Sequence, residues 1–71
     1  MTHYEIYAKP DSGPCTVSER DERNNWSWDT KAEAVKVATH KKSLYPNMDF
    51  LVHEVNHHRR ALVHDTSKAE G

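Results

Sequence analysis

The chain has 71 residues, of which 35% are hydrophobic and 30% charged, with a net charge of -1 when its six histidines are neutral. A chain this short forms one domain and buries only about 60% of the surface its unfolded form exposes, so a deep substrate pocket is not expected. A single cysteine, Cys15, excludes an internal disulfide and a cysteine-based zinc site, and no window approaches the roughly 18 apolar residues of a membrane span.

Residues His3 to Lys9 alternate, with Tyr4, Ile6 and Ala8 on one face and His3, Glu5, Tyr7 and Lys9 on the other, which predicts a half-buried first strand. Pro10-Asp11-Ser12-Gly13-Pro14 collects turn-forming residues and ends it. A second strand is expected from Cys15 to about Arg20, followed by a solvated loop over Glu19-Arg20-Asp21-Glu22-Arg23-Asn24-Asn25. A short third strand from Asn25 to Trp28 would carry Trp26 and Trp28 on the same face, because they are two apart.

Thr30 and Glu33 have the spacing of a capping box, so a helix is predicted from Lys31 to about Leu44, stopped by Pro46. Its apolar face holds Ala34, Val37, Ala38, Leu44 and Tyr45, with Val35 at the margin. The two alanines permit close approach to large sheet residues, and Tyr4, Trp26, Trp28 and Phe50 are the expected core. Lys41 and Lys42 lie in the last turn, where the helix dipole favours positive charge. Phe50 to Val55 and Arg60 to His64 read as a closing hairpin with its tip at Asn56-His57-His58-Arg59. Residues 66–71 contain no apolar anchor and are expected to form a disordered tail behind a single domain spanning residues 1–65. The fold class is therefore α+β, an antiparallel sheet of about four strands with one amphipathic helix on one face, in the order ββ(β)αββ.

No catalytic constellation emerges. Cys15 has no helix N-terminus beside it, no serine sits in a nucleophile elbow, and Gly13 is the only glycine before Gly71. Six histidines invite a metal reading, but there is no H-x-x-x-H on the helix, and His53 and His64 are about two positions out of register in the hairpin. The expectation is a protein without enzyme activity, cofactor or resident metal, a histidine-mediated metal-binding protein being the third reading. Protonating all six histidines would move the formal charge to +5.

The richest candidate contact surface is the hairpin tip, where His57, His58, Arg59 and Arg60 cluster. Arginine forks suit carboxylate and phosphate, and Lys41 and Lys42 would extend the patch if the helix end lay beside the tip. Tyr7, outward on the first strand, adds an aromatic anchor of the kind found at protein interfaces.

The layout W-x-W-D-T-x-x-E-A, leading into one helix and a closing hairpin, resembles small phage-encoded host-takeover proteins, including inhibitors of bacterial RNA polymerase and anti-CRISPR proteins. That resemblance implies a stoichiometric binder without a cofactor that acts by occluding a surface on a large host protein; the single cysteine suits a reducing cytoplasm, and a monomer is the favoured state. Thr30-Lys31-Ala32-Glu33-Ala34 is also similar to the helix opening of the amino-terminal DNA-binding domains of tyrosine integrases, which implies a sheet docked in the major groove. Outward Glu5 and Glu19 and the negative net charge place nucleic acid second to protein as the expected partner.

Overall fold

A computed structural model of the chain describes residues 1–10 and 17–68. The chain is α+β. Its elements are β1 (Thr2–Pro10), β2 (Val17–Glu19), α1 (Lys31–Leu44), β3 (Met48–Asn56), β4 (Arg59–Asp65) and a 3-10 turn at Thr66–Lys68. Three long strands and the three-residue β2 form an antiparallel sheet in the order β2-β1-β3-β4, with α1 on one face. Cys15 and most of the turn expected after β1 lie outside the described residues.

The alternation in β1 and β3 decides which side chains meet the helix. Ile6 opposes Val52 and Ala8 opposes Phe50, and all four are buried with Trp28, Ala34 and Ala38. Tyr4, Val35, Val37, Met48 and Val63 close the margins of this core. Alanine at positions 34 and 38 lets α1 settle close to the sheet, so the bulk comes from Phe50, Ile6, Val52 and Trp28.

The expected strand at Asn25–Trp28 contracts to a single bridge between Trp28 and Tyr4, closed by Tyr4 N–H to Trp28 O at 2.8 Å and Trp28 N–H to Tyr4 O at 3.0 Å. Continuing that pairing would set Trp26 against Ile6, but Ile6 already pairs with Glu19 of β2. Trp26 therefore has no edge to occupy and is 50% exposed, which corrects its assignment to the core. The mixed-charge segment before it is a defined turn. The Asp21 carboxylate accepts from the Arg23 and Asn25 backbone N–H groups at 2.8 and 2.9 Å, and Asn24 takes a left-handed φ of 66°, which asparagine tolerates. Those bonds, the one from Asn25 foremost, hold the Asp21 carboxyl below its ordinary 3.8.

Helix α1 begins as its cap residues require. Thr30 Oγ1 accepts from Glu33 N–H at 3.2 Å and donates to Glu33 Oε1 at 3.1 Å, so the carboxylate meets the hydroxyl. Thr30→Ala is expected to lower stability by about 1 kcal/mol, read as a lower urea midpoint with an unchanged slope. An unchanged midpoint would mean the cap contributes nothing.

The other end of α1 departs from expectation. Leu44 is 57% exposed and Tyr45 51%, so the buried stripe is confined to Ala34 and Ala38 with partial cover of Val35 and Val37. Lys42 fixes this end instead: its ammonium donates to Pro46 O, Met48 O and Asp49 Oδ1 at 3.0, 3.0 and 3.1 Å, using all three of its protons. Residues 66–68, expected to be tail, form the 3-10 turn because Thr66 Oγ1 accepts from Phe50 N–H at 2.9 Å and donates to Asp49 Oδ1 at 3.3 Å.

Candidate functional site

The sheet face turned away from α1 is a grid set by register. His3 of β1 opposes Val55 of β3, which opposes Arg60 of β4; in the next row Glu5 opposes His53, which opposes Leu62. Tyr7 opposes Leu51 in the row after. The same alternation that sends Ile6 and Val52 inward sends these side chains outward.

At the centre of the face lies Glu5, only 7% exposed although no helix covers it. Its own neighbours bury it. Tyr7 Oη donates to Glu5 Oε1 at 2.8 Å, Arg60 Nη1 donates to the same oxygen at 2.9 Å, and His3 Nε2 donates to Glu5 Oε2 at 2.9 Å. Arg60 Nη1 also reaches Tyr7 Oη at 3.1 Å, and its guanidinium carbon stands 5.4 Å from the Tyr7 ring centroid. His53 meets Tyr7 edge-on at 5.1 Å between centroids.

Burial alone would push the Glu5 carboxyl up, but donation from His3, Tyr7 and Arg60 outweighs it and holds the group below its ordinary 4.5. Burial raises the Tyr7 hydroxyl, helped by its bond to Glu5 and opposed by Arg60. Burial lowers His53, and the adjacent Arg60 lowers it further against the opposing pull of Glu5. The result is an ionised carboxylate, a protonated phenol and a neutral imidazole whose buried Nδ1 has no hydrogen-bond partner among the described residues.

Beyond this cluster, β3 and β4 are joined through a two-residue tip, His57-His58, flanked by the Asn56–Arg59 pair. His57 adopts a left-handed φ of 50°, the role glycine or asparagine fills in most tight hairpins. The His57 and His58 rings lie 5.3 Å apart, and the Arg59 side chain makes no hydrogen bond or ion pair within the described residues.

Of the residues singled out from the sequence, Tyr7 and Arg60 meet directly, and His57, His58 and Arg59 lie just beyond them. Lys41 and Lys42 do not join this patch. Lys41 pairs with Glu19 at 3.3 Å and Lys42 binds the start of β3, about 27 Å along that strand from the tip at roughly 3.4 Å per residue. Glu5, His3 and His53 were not singled out, though alternation had already put Glu5 and His3 on the face of Tyr7; the β4 register was the missing information. Among the described residues no three His, Cys, Asp or Glu side chains converge to hold a metal ion, and no helix is long and apolar enough to cross a membrane. No family model, curated protein or solved structure matches the chain.

Proposed function

We propose that this protein is a small non-enzymatic effector that binds a larger protein and acts by occluding part of its surface. The carrying observation is a sheet face left open by the helix yet organised around Glu5, Tyr7 and Arg60, with Leu62 exposed on the same face and Arg59 exposed next to Arg60 at the hairpin tip. Tyrosine and arginine are the residue types that most often anchor protein interfaces. Holding both rigid before contact removes much of the side-chain ordering that binding otherwise requires.

The exposed charge at the rim is cationic, which suits an acidic patch on the partner. A carboxylate at the centre of the face is a poor neighbour for a phosphate backbone, which favours protein over nucleic acid. Bacterial RNA polymerase is the first partner to test, as the target of the host-takeover proteins this layout resembles. Immobilised polymerase is expected to bind the protein, and Arg59→Ala and Tyr7→Phe are each expected to weaken binding about tenfold with an unchanged circular dichroism spectrum. Arg59→Ala is the cleaner variant, because the Arg59 side chain has no hydrogen bond or ion pair to lose among the described residues. If both variants bound as tightly as the parent, the outer face and tip would be removed from the interface.

A further inference from the structure

The order β2-β1-β3-β4 makes β4 an edge strand, with β3 along one side and no strand along the other among the described residues. Every residue from Asn56 to Leu62 is exposed. The pair that closes a two-residue hairpin turn exchanges its backbone hydrogen bonds, and such pairs alternate along an antiparallel ladder. Asn56–Arg59 and Glu54–Ala61 are therefore the bonded pairs of this hairpin, and Arg60 and Leu62 turn their N–H and C=O groups away from β3. No other backbone group among the described residues takes these up.

Sheet edges are usually guarded by shortness, proline, lysine or a bulge. At the opposite edge β2 has only three residues. The seven residues of β4 include neither proline nor lysine, and its register shift falls beyond Leu62, so Arg59 to Leu62 form a regular free edge.

Charge selects what can fill that edge. Residues 55–64 include Arg59 and Arg60 and no carboxylate. The carboxylates flanking them are engaged: Glu5 accepts from Arg60, Glu54 accepts from the Tyr4 hydroxyl at 2.9 Å, and Asp65 accepts from the Ser67 N–H and hydroxyl. The Arg59 side chain has no such partner among the described residues. A second copy is a poor occupant, because antiparallel pairing of two β4 edges would gather Arg59 and Arg60 of both copies without adding a carboxylate.

We propose that the edge of β4 from Arg59 to Leu62 receives an extended acidic segment of a partner protein as an added strand. The main chain of that segment bonds to the N–H and C=O groups of Arg60 and Leu62, a carboxylate meets Arg59, and an apolar side chain lies beside Leu62. This deepens the occlusion reading and rests on it, naming the element by which the partner is held.

The test titrates a short synthetic peptide of alternating glutamate and valine into isotopically labelled protein, with amide shifts and hydrogen exchange read by NMR. The Arg60 and Leu62 amides are expected to shift and to exchange at least about tenfold more slowly, while the amide of Ala61, already bonded to β3, changes little. A peptide N-methylated at alternate residues, and one with lysine in place of glutamate, are each expected to bind at least about tenfold more weakly. Arg59→Glu should reverse the preference, favouring the lysine peptide; an otherwise unchanged spectrum verifies its fold. The proposal is overturned by unchanged Arg60 and Leu62 amides at millimolar peptide, by equal binding of the N-methylated or lysine peptide, or by protection that grows with protein concentration alone, which would make a second copy the occupant. If polymerase binding is weakened by Arg59→Ala and Tyr7→Phe while bound polymerase leaves the exchange of these two amides unchanged, occlusion stands and the added strand does not.

Discussion

Replacing Phe50 with alanine is expected to reduce stability by about 3 to 5 kcal/mol, the range for deleting a buried aromatic ring. At about 0.05 to 0.15 kcal/mol per residue, a chain of this length has only about 4 to 11 kcal/mol in total. Phe50 is the largest of the fully buried side chains, and the core it shares includes Ala8, Ala34 and Ala38. Alanine has no rotamer with which to fill a void, and Ala8 is the direct cross-strand partner of Phe50, so the cavity would stay largely open. The variant should therefore show a sharply lower urea midpoint or no cooperative transition at all. Leu51→Ala, one residue along on the partly exposed outer face, is the control and should cost no more than about 1 kcal/mol. A loss below about 1 kcal/mol for Phe50→Ala would show that the core relaxes around the deletion and that the alanine-lined packing is not what it is argued to be.

The features legible in the sequence were those decided by neighbours a few residues apart. Thr30 and Glu33 mark the helix start, Pro46 limits its end, and the alternation of Tyr4, Ile6 and Ala8 selects the buried face of β1. Trp26 was misplaced because its environment depends on which segment holds the edge of β1. Local spacing put it on the same face as Trp28, but Glu19 reaches Ile6 first. Leu44 and Tyr45 obeyed helical periodicity and still remained exposed, since periodicity says which way a side chain points and not whether anything covers it.

The site divides along the same line. Tyr7 could be picked out from β1 alone, and Arg60 from the cationic tip, but their meeting joins residues 53 apart in sequence. It depends on pairing across three strands, β1 against β3 and β3 against β4, with Arg60 opposite Val55 in the hairpin that closes at His57-His58. Glu5 looked like one more solvated charge until that register surrounded it. Lys41 and Lys42 illustrate the converse: favourable interaction with a helix dipole explains their presence in the last turn, yet the structure commits them to Glu19 and to the start of β3.

Acid is expected to destabilise the protein in two steps, both traceable to the outer face. His53 is lowered from 6.5, first by burial and then by Arg60, so below about pH 6.5 the unfolded chain takes up a proton that the folded chain refuses, and stability falls with pH. Glu5 is also lowered, from 4.5, by donors that outweigh its burial, so as pH falls below about 4.5 the unfolded carboxyl protonates first and a second loss begins. Each contributes a slope of at most about 1.4 kcal/mol per pH unit, with the same sign. Around His53 the ionisable neighbours are Glu5 and Tyr7 from β1 and Arg60 from β4; α1 lies on the other face. Urea midpoints measured from about pH 7 to pH 4 should therefore decline. His53→Gln should flatten the first part of the curve. Glu5→Gln should flatten the second while lowering neutral-pH stability by about 1 to 2 kcal/mol, because Arg60 loses its charged acceptor but remains partly solvated. At the opposite extreme Tyr7 is raised above 10 by burial and by its bond to Glu5, so its contribution is full below about pH 10 and disappears as pH rises past its folded value. If the Glu5→Gln variant kept the parent's acid slope, the carboxylate could not be the group that couples the outer face to folding, and the cluster would be a solvated surface feature.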